Sequence, residues 1–187
     1  MNVKKCSSAM AALILIALGA LPATVSAPQD AKNASERALA EDDIREVVLR
    51  KEMLEWAQGG DKDEAEAKSE SDKAVAQHLN FKVFFVAVDG KDPDDQFLKR
   101  FANIPRIIKK QSESEINKKT RLAVVDKKTH QFGIIFYADK VHWENDSSVE
   151  IDGGYHCDGL CGAGITYVVS RENGKWVVKS ERMNWIS

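Results

Sequence analysis

The sequence predicts an α+β protein in which a curved antiparallel sheet is packed by two or three N-terminal helices. Apolar residues repeat at three- and four-residue steps in two segments, 44–56 and 97–101, as on one face of a helix. Apolar and polar residues alternate along much of the second half, as in half-buried strands. An Asn-Gly dipeptide at 173–174 separates two such runs, which is typical of a β-hairpin.

Residues 1–27 have the pattern of a secretory signal peptide. Two lysines precede an apolar run at 9–21, and small residues lead to cleavage at Ala27, with Ala23 as a second possible cut. The run is too short to span a bilayer, because a membrane helix needs about 20 residues. The sequence therefore predicts a periplasmic or secreted protein that keeps no membrane contact once the signal is removed.

The rest of the chain has the size and charge of one ordinary domain. We expect 28–40 to be a flexible lead-in and 41–187 to form a single α+β domain. The formal net charge of the 187 residues is −2, with acids and bases spread along the chain. A nucleic-acid partner is not expected, because binding to phosphates requires a concentrated basic patch.

The first helix is predicted to begin near Glu41, where three consecutive acids suit the positive end of a helix dipole. Gly59-Gly60 is predicted to end it as a C-terminal cap. The acidic segment 61–73 is interpreted as a solvated helix extension or loop, with an acidic docking segment as the alternative, and 74–79 as a short helix. The apolar stripe of the first helix consists of Ile44, Val47, Val48, Leu54 and Trp56.

A buried strand and a second helix follow. Residues 81–88 are aromatic and β-branched and end at Asp89-Gly90, which predicts a strand and a turn. Asp92 is predicted to cap the next helix, with Pro93 at its first position. The apolar face of this helix consists of Phe97, Leu98 and Phe101, and Asn103-Ile104-Pro105 ends it.

The register of the last two hairpins follows from their turns. A two-residue Asn-Gly turn places Glu172 opposite Lys175, and the same count places Tyr167 opposite Ser180. If Cys157 faces Cys161, then Ile151 faces Tyr167. Both registers give one apolar face, which consists of Val149, Ile151, Tyr155, Ile165, Tyr167, Val169, Trp176 and Val178. The opposite, mostly polar face has Glu150, Asp152, His156, Thr166, Ser170, Lys179 and Glu181.

Two further strands are predicted upstream of these hairpins. Residues 132–143 form one strand, and the turn at 145–148 lets its last residues join the same apolar face. Residues 121–125 form another strand, and 127–130 form its turn.

The segment Cys157-Asp158-Gly159-Leu160-Cys161 carries the local chemistry of the chain. In an exported protein two such cysteines are expected to form a disulfide. One alternative is a zinc site of His156, Cys157, Cys161 and His142, but the three-residue gap is not a usual zinc spacing. The other is a redox-active pair, which would normally be spaced C-x-x-C.

Some motifs resemble those of a group of small exported bacterial proteins. They are Tyr155-x-Cys157-x-Gly159-Leu160-Cys161-Gly162, Asn173-Gly174-Lys175-Trp176, Trp185-Ile186-Ser187 and the segment from Asp92-Pro93 to Phe101. The order of helices and strands also resembles the NTF2-like and cystatin-like arrangement. That resemblance implies a cone-shaped cavity between helix and sheet, and its members include both enzymes and binding modules.

The sequence favours a non-enzymatic binding module over an enzyme. No nucleophile elbow, phosphate loop or metalloprotease motif occurs, and no cofactor or metal is expected. The predicted binding residues are the hairpin tip and its neighbour, His156, Asp158, Gly159 and Leu160, which would contact an unknown protein or small ligand. The alternative is a small-molecule enzyme that uses an NTF2-like cavity with a carboxylate or histidine acid–base group. Asp152, His142 and His156 could converge as an acid–base group if their strands are adjacent, and the predicted register places Asp152 and His156 on the polar face.

Overall fold

The computed structural model describes residues 27–73, 80–119 and 122–187. The signal peptide predicted for residues 1–27 lies outside this part except for its last residue, and so does the short helix predicted at 74–79. Within the described residues, no helix combines the length and the apolar character that crossing a membrane requires.

The described chain contains a long and a short α-helix, a helical turn at residues 70–73 and eight strands. The helices are α1, Ala27–Glu66, and α2, Asp95–Lys99. A single 3-10 turn, Gln111–Glu113, links the second and third strands. The strands are β1, Val83–Val88; β2, Ile107–Lys110; β3, Ser114–Asn117; β4, Ala123–Asp126; β5, Gly133–Asn145; β6, Ser148–Asp158; β7, Cys161–Glu172; and β8, Lys175–Ile186.

The described strands form a six-stranded sheet of order β2-β1-β5-β6-β7-β8 and a separate two-stranded sheet of β3 and β4. The α+β class and the mostly antiparallel sheet agree with the prediction. The sequence did not predict that β1 pairs in parallel with both β2 and β5. Strand β1 is buried on both faces, which explains its continuous apolar sequence.

Helix α1 covers one face of the large sheet. The predicted apolar face is confirmed: all eight residues belong to the main core or pack against it. Ile44 and Val48 of the predicted helix stripe are fully buried there, together with Leu49, Met53 and Ala57. The opposite face is partly covered by the β3–β4 hairpin, where Val124 packs against Val83, Phe85 and Ile135.

The register predicted for β6 and β7 is confirmed by the pairs Val149–Val169, Ile151–Tyr167, Gly153–Ile165 and Tyr155–Ala163. At the β7–β8 turn, Asn173 and Gly174 have φ of 50° and 80°, as the predicted turn requires.

Two predicted pairings are wrong. Cys161 lies opposite Asp158 and not Cys157, because the β6–β7 register shifts between His156 and Asp158. Tyr167 lies opposite Glu181 and not Ser180, because a bulge interrupts the β7–β8 register between Val168 and Val169. The shift moves Glu181 from the polar face to the helix-covered face, where its Oε2 lies 2.7 Å from Lys51 Nζ.

Helix α1 extends beyond both predicted ends. Its backbone is helical from Ala27, through the segment predicted as a flexible lead-in, and continues past Gly59-Gly60 to Glu66. Gly60 packs against Asn80, and Asp61 accepts a 2.7 Å hydrogen bond from Arg106 Nη2. These tertiary contacts hold the helical backbone where local sequence favoured a cap.

Helix α2 is capped by Asp94 and not by Asp92. The Asp94 carboxylate accepts a 2.7 Å hydrogen bond from the Phe97 amide, as in a typical N-cap. Asp92 instead accepts a hydrogen bond from the Ser112 amide, which lies just after β2. The predicted apolar face is correct, since Phe97 and Phe101 are buried.

Candidate functional site: a pocket between helix α1 and the sheet

The predicted hairpin tip lies between the paired cysteines. Cys157 and Cys161 are joined with their Cα atoms 5.2 Å apart, a spacing typical of disulfides. Cys157 is buried in the main core, which fixes the base of the turn. Asp158 Oδ1 accepts a 2.7 Å hydrogen bond from the Leu160 amide, and the Leu160 side chain is 68% exposed. The turn therefore presents Leu160 to solvent on an ordered backbone.

The polar-face histidines and carboxylate do not all meet. Asp152 and His142 line one open groove of about 450 Å³ beside the β5–β6 bulge, together with Asp89 and Asp139. His156 pairs with Ile135 and Gly162 farther along β6 and does not line that groove.

The polar groove is a solvated surface. His142 and Asp152 are exposed, and Asp152 accepts a 2.6 Å hydrogen bond from the Thr166 hydroxyl. Burial, with help from Asp89 and Asp152, raises the pKa of Asp139. Among the residues that the structure describes, no group of three or more His, Cys, Asp or Glu side chains is placed to hold a metal ion.

His130 and the four tryptophans do not line the polar groove. His130 is in the turn after β4 with a φ of 55°, and His78 is outside the described residues. Trp143 and Trp176 stack edge to face at 5.7 Å, and Trp185 lies over Gly164 near the end of β8. The fourth tryptophan, Trp56, forms part of a pocket that the sequence did not predict.

This pocket lies between the C-terminal half of α1 and strands β6, β7 and β8, and has a volume of about 500 Å³. We call it the α1–sheet pocket. Its lining consists of Glu52, Glu55, Trp56, Gly59, Gly60, Asp63, Tyr155, Ile165 and Glu181.

Aromatic rings form one wall of the α1–sheet pocket. Trp56 and Tyr155 meet edge to face with their ring centroids 4.9 Å apart, and the centroid of the Phe81 ring lies 5.8 Å from that of Trp56. Trp56 and Tyr155 are only half-buried, so parts of both rings remain accessible from the pocket. The packing of these rings against one another fixes the wall.

Glu52 is the buried polar group of the pocket, with 6% of its surface exposed. Its Oε1 lies 3.6 Å from Lys51 Nζ, but that ammonium is closer to Glu55, at 2.9 Å, and to Glu181, at 2.7 Å. Lys51 is therefore shared among three carboxylates, and Glu52 receives the weakest contact of the three.

The Tyr167 hydroxyl lies beside the Glu52 carboxyl. The two groups do not meet in good hydrogen-bond geometry, and the buried hydroxyl bonds to no other residue in the described part of the chain. Buried polar groups usually have a partner, so an unpaired hydroxyl next to a buried carboxyl is exceptional.

Burial raises the pKa of Glu52 above its ordinary value. Tyr167 and Lys51 oppose this rise, whereas the carboxylates of Glu55 and Glu181 add to it. Burial also raises the pKa of Tyr167, with the charge of Glu52 as the next cause. The pocket therefore disfavours a negative charge at its own buried carboxyl.

The sequence contains a local signal for Glu52. Ile44, Val48, Glu52 and Trp56 recur at four-residue steps, so Glu52 stands on the face of α1 that turns toward the sheet. A charged residue inside an apolar stripe indicates either a paired core charge or a functional group. Glu181 could not have been found this way, because the bulge in β8 decides its face.

Comparisons of the chain with protein-family models, with curated proteins and with solved structures give no match.

Proposed function

We propose that the protein is an exported binding module that holds a small ligand in the α1–sheet pocket. The observation that carries the proposal is the buried Glu52 carboxyl, which faces an aromatic-walled cavity beside the unpaired Tyr167 hydroxyl. A volume of about 500 Å³ is within the range of small-molecule sites. A ligand donor group would give the Glu52 carboxyl a closer partner than the Lys51 ammonium, which lies 3.6 Å away.

The cost of this arrangement also supports a binding role. A buried carboxyl with an incomplete set of partners destabilises a fold, so a purely structural role would favour an apolar residue at position 52. A pocket of this kind, between a long helix and a sheet, is what an NTF2-like cone would provide. The exported location follows from the sequence pattern of residues 1–27.

A small-molecule enzyme is the second candidate, and Glu52 is the observation that favours it. A carboxyl whose pKa is raised by burial holds its proton more tightly than an ordinary carboxyl, as a general acid requires. In that reaction Glu52 would act as the acid–base group, and the buried Tyr167 hydroxyl beside it would help to position its carboxyl.

The hairpin tip is a separate candidate surface for a protein partner. Its support is the exposed Leu160, held by the disulfide and by the Asp158 hydrogen bond. A rigid apolar side chain loses little conformational entropy when it enters a partner's pocket.

The pocket proposal can be tested with a mixture of small soluble fragments and amide and indole NMR spectra of residues 28–187. We expect shifts to concentrate on the Trp56 indole and on amides around Tyr155 and Ile165. The bulky variant Gly59→Leu should abolish these shifts, whereas Leu160→Ala should leave them unchanged. Shifts confined to residues 158–160 would favour the tip instead, and no shift at Trp56 from any fragment would contradict the pocket proposal.

Enzyme and binding module can then be separated with any fragment that binds. A chemical change in the fragment that Glu52→Gln abolishes, without loss of fragment binding, supports the enzyme. Unchanged fragment after prolonged incubation supports the binding module.

A further inference from the structure

We propose that the ligands of the α1–sheet pocket are small organic cations, amines or quaternary ammonium compounds that carry an apolar group. This inference rests on the proposed function and names its ligand class. Three independent features of the pocket support it: its charge balance, its aromatic wall and the room left by a helix glycine.

The charge balance of the pocket is negative. Four carboxylates line it, from Glu52, Glu55, Asp63 and Glu181, and no lysine or arginine is among the lining residues. Lys51 lies next to the pocket and contacts Glu52, Glu55 and Glu181. One ammonium cannot neutralise three carboxylates, so a second cation is favoured at this place.

The position that most needs a cation is Glu52. Lys51 Nζ lies about an ordinary hydrogen-bond length from Glu55 and Glu181 but 3.6 Å from Glu52. Glu52 is also the carboxyl that is buried, where an uncompensated charge is most costly. A ligand ammonium in the pocket would stabilise the charged form of Glu52 and donate a hydrogen bond to it.

The wall of the pocket suits a cation that carries an apolar group. Trp56 and Tyr155 expose parts of their rings to the same space as the carboxylates. Ring faces attract ammonium groups, most strongly when water is excluded. Ile165 supplies an aliphatic surface for the rest of the ligand. An inorganic cation would leave this apolar surface without a partner.

Gly59 leaves space for the ligand at a cost to the helix. It lies inside α1, where glycine is less favourable than alanine by roughly 1 kcal/mol. A Cβ atom at Gly59 would have no neighbour within 4 Å in the described part of the chain beyond the backbone of its own helix, so packing does not demand glycine. Gly59 lines the pocket, and a bound ligand is the partner that would exclude a side chain there.

The test compares benzylamine, which is cationic at neutral pH, with benzyl alcohol, which has nearly the same shape and no charge. Binding is measured by calorimetry and by the Trp56 indole NMR shift, with residues 28–187 at low ionic strength. We expect benzylamine to bind at least tenfold more tightly than benzyl alcohol. Benzyltrimethylammonium should bind as well, since the ring wall and the negative charge do not require an N–H donor.

Two variants locate the effect. Glu52→Gln keeps the size of the side chain and should reduce benzylamine affinity at least tenfold, while benzyl alcohol affinity changes little. Gly59→Ala should lower the affinity for both probes and raise the midpoint of thermal unfolding. Weaker binding by a more stable protein would show that the methyl group fills the pocket and does not disrupt the fold. Asp146 is an exposed acid in the β5–β6 turn. Asp146→Asn is therefore the matched control and should change the affinity for neither probe.

Each outcome decides between the two proposals. Equal affinity for the two probes at Trp56 overturns the cation inference and leaves the pocket as a ligand site. Benzylamine binding that Glu52→Gln does not weaken also overturns it, because the charge attraction would then come from elsewhere. Failure of all three probes to shift Trp56 overturns the cation inference, whereas the fragment mixture still tests the proposed function.

Discussion

Two buried carboxylates in this molecule have opposite environments. Asp126, at the end of β4, is 1% exposed and is surrounded by donors: the Lys109 ammonium, the amides of Lys128 and Thr129 at 2.9 and 2.8 Å, and the Thr129 hydroxyl. These bonds, with Lys109 as the main cause, hold the pKa of Asp126 far below its ordinary value. Glu52 is almost as buried, yet burial raises its pKa because its partners are few and shared.

The difference separates a structural charge from a candidate functional one. Asp126 closes the turn before β5 and holds the β3–β4 hairpin against Lys109 of β2, so all of its bonding capacity serves the fold. Glu52 faces a cavity and leaves bonding capacity for a ligand. Burial alone does not distinguish the two roles, but the completeness of hydrogen bonding does.

The largest effect is expected from removing the satisfied carboxylate. Asp126→Ala should lower the free energy of unfolding by about 3 kcal/mol, because it leaves the Lys109 ammonium and two turn amides without their partner. Chemical denaturation of residues 28–187 measures this. Glu115→Ala, an exposed acid on the neighbouring strand, is the control and should change stability by less than about 0.5 kcal/mol. A loss below about 1 kcal/mol for Asp126→Ala would remove the contrast with Glu52.

Reduction of the Cys157–Cys161 disulfide should have the next largest effect. It closes a short loop, so the chain-entropy estimate of its contribution is about 2 kcal/mol. We expect reduction to lower the thermal midpoint while the Trp56 indole resonance of the folded protein keeps its position. A shift at Trp56 on reduction would mean that the hairpin and the pocket are coupled.

Glu52→Gln should raise stability at neutral pH by on the order of 1 kcal/mol, the opposite sign to Asp126→Ala, since it removes a charge that burial disfavours. The effect should depend on pH. A raised pKa in the folded state means that the folded protein binds the proton more tightly, so Glu52 lowers stability as pH rises from about 4.5 through that raised pKa.

The lowered pKa of Asp126 has the reverse consequence: its contribution is complete above the ordinary aspartate value of about 3.9 and is lost as pH falls below it. Urea titrations from pH 3 to pH 8 give stability as a function of pH and check both the acid limb of this curve, set by Asp126, and the upper limb, set by Glu52. Glu52→Gln should flatten the upper limb only, and Asp126→Asn the acid limb only. A Glu52→Gln protein that loses stability throughout this range would show that Glu52 is a structural charge like Asp126.

The smallest effect is expected at the two tyrosines. Tyr137 donates a 3.2 Å hydrogen bond to the Ala163 carbonyl, and Tyr137→Phe should cost about 1 kcal/mol. Tyr167→Phe removes a hydroxyl that has no partner in the described chain and should leave stability unchanged or slightly raised. Thermal unfolding of the two variants side by side checks this. An equal loss for both would show that Tyr167 is bonded in solution.

The parts of the fold that the sequence predicted correctly depend on local geometry. A two-residue turn leaves only one pairing near Asn173-Gly174, and alternation along β6 and β7 then selects the buried face. Contacts between distant segments were not predictable in this way. The parallel pairing of β1, the continuation of α1 through Gly59-Gly60 and the bulge near Val168 all depend on tertiary packing.

The candidate site was missed for the same reason. The tip residues 158–160 are adjacent in sequence, so a local motif can suggest them. The α1–sheet pocket combines one face of α1 with strands that follow much later in the chain, and the bulge in β8 brings Glu181 into it. Only Glu52 had a local indication, as an acid in an apolar stripe.

Strand β8 is the outer strand at one end of the large sheet, and its irregular pairing has a consequence for solubility. Breaks in register near Val168 and Gly164 bend the strand, and Lys175, Lys179 and Arg182 place positive charge along it. A straight, uncharged edge strand of this length could pair with the edge strand of another copy and form open-ended fibrils. The same irregularity that brings Glu181 into the pocket therefore opposes aggregation.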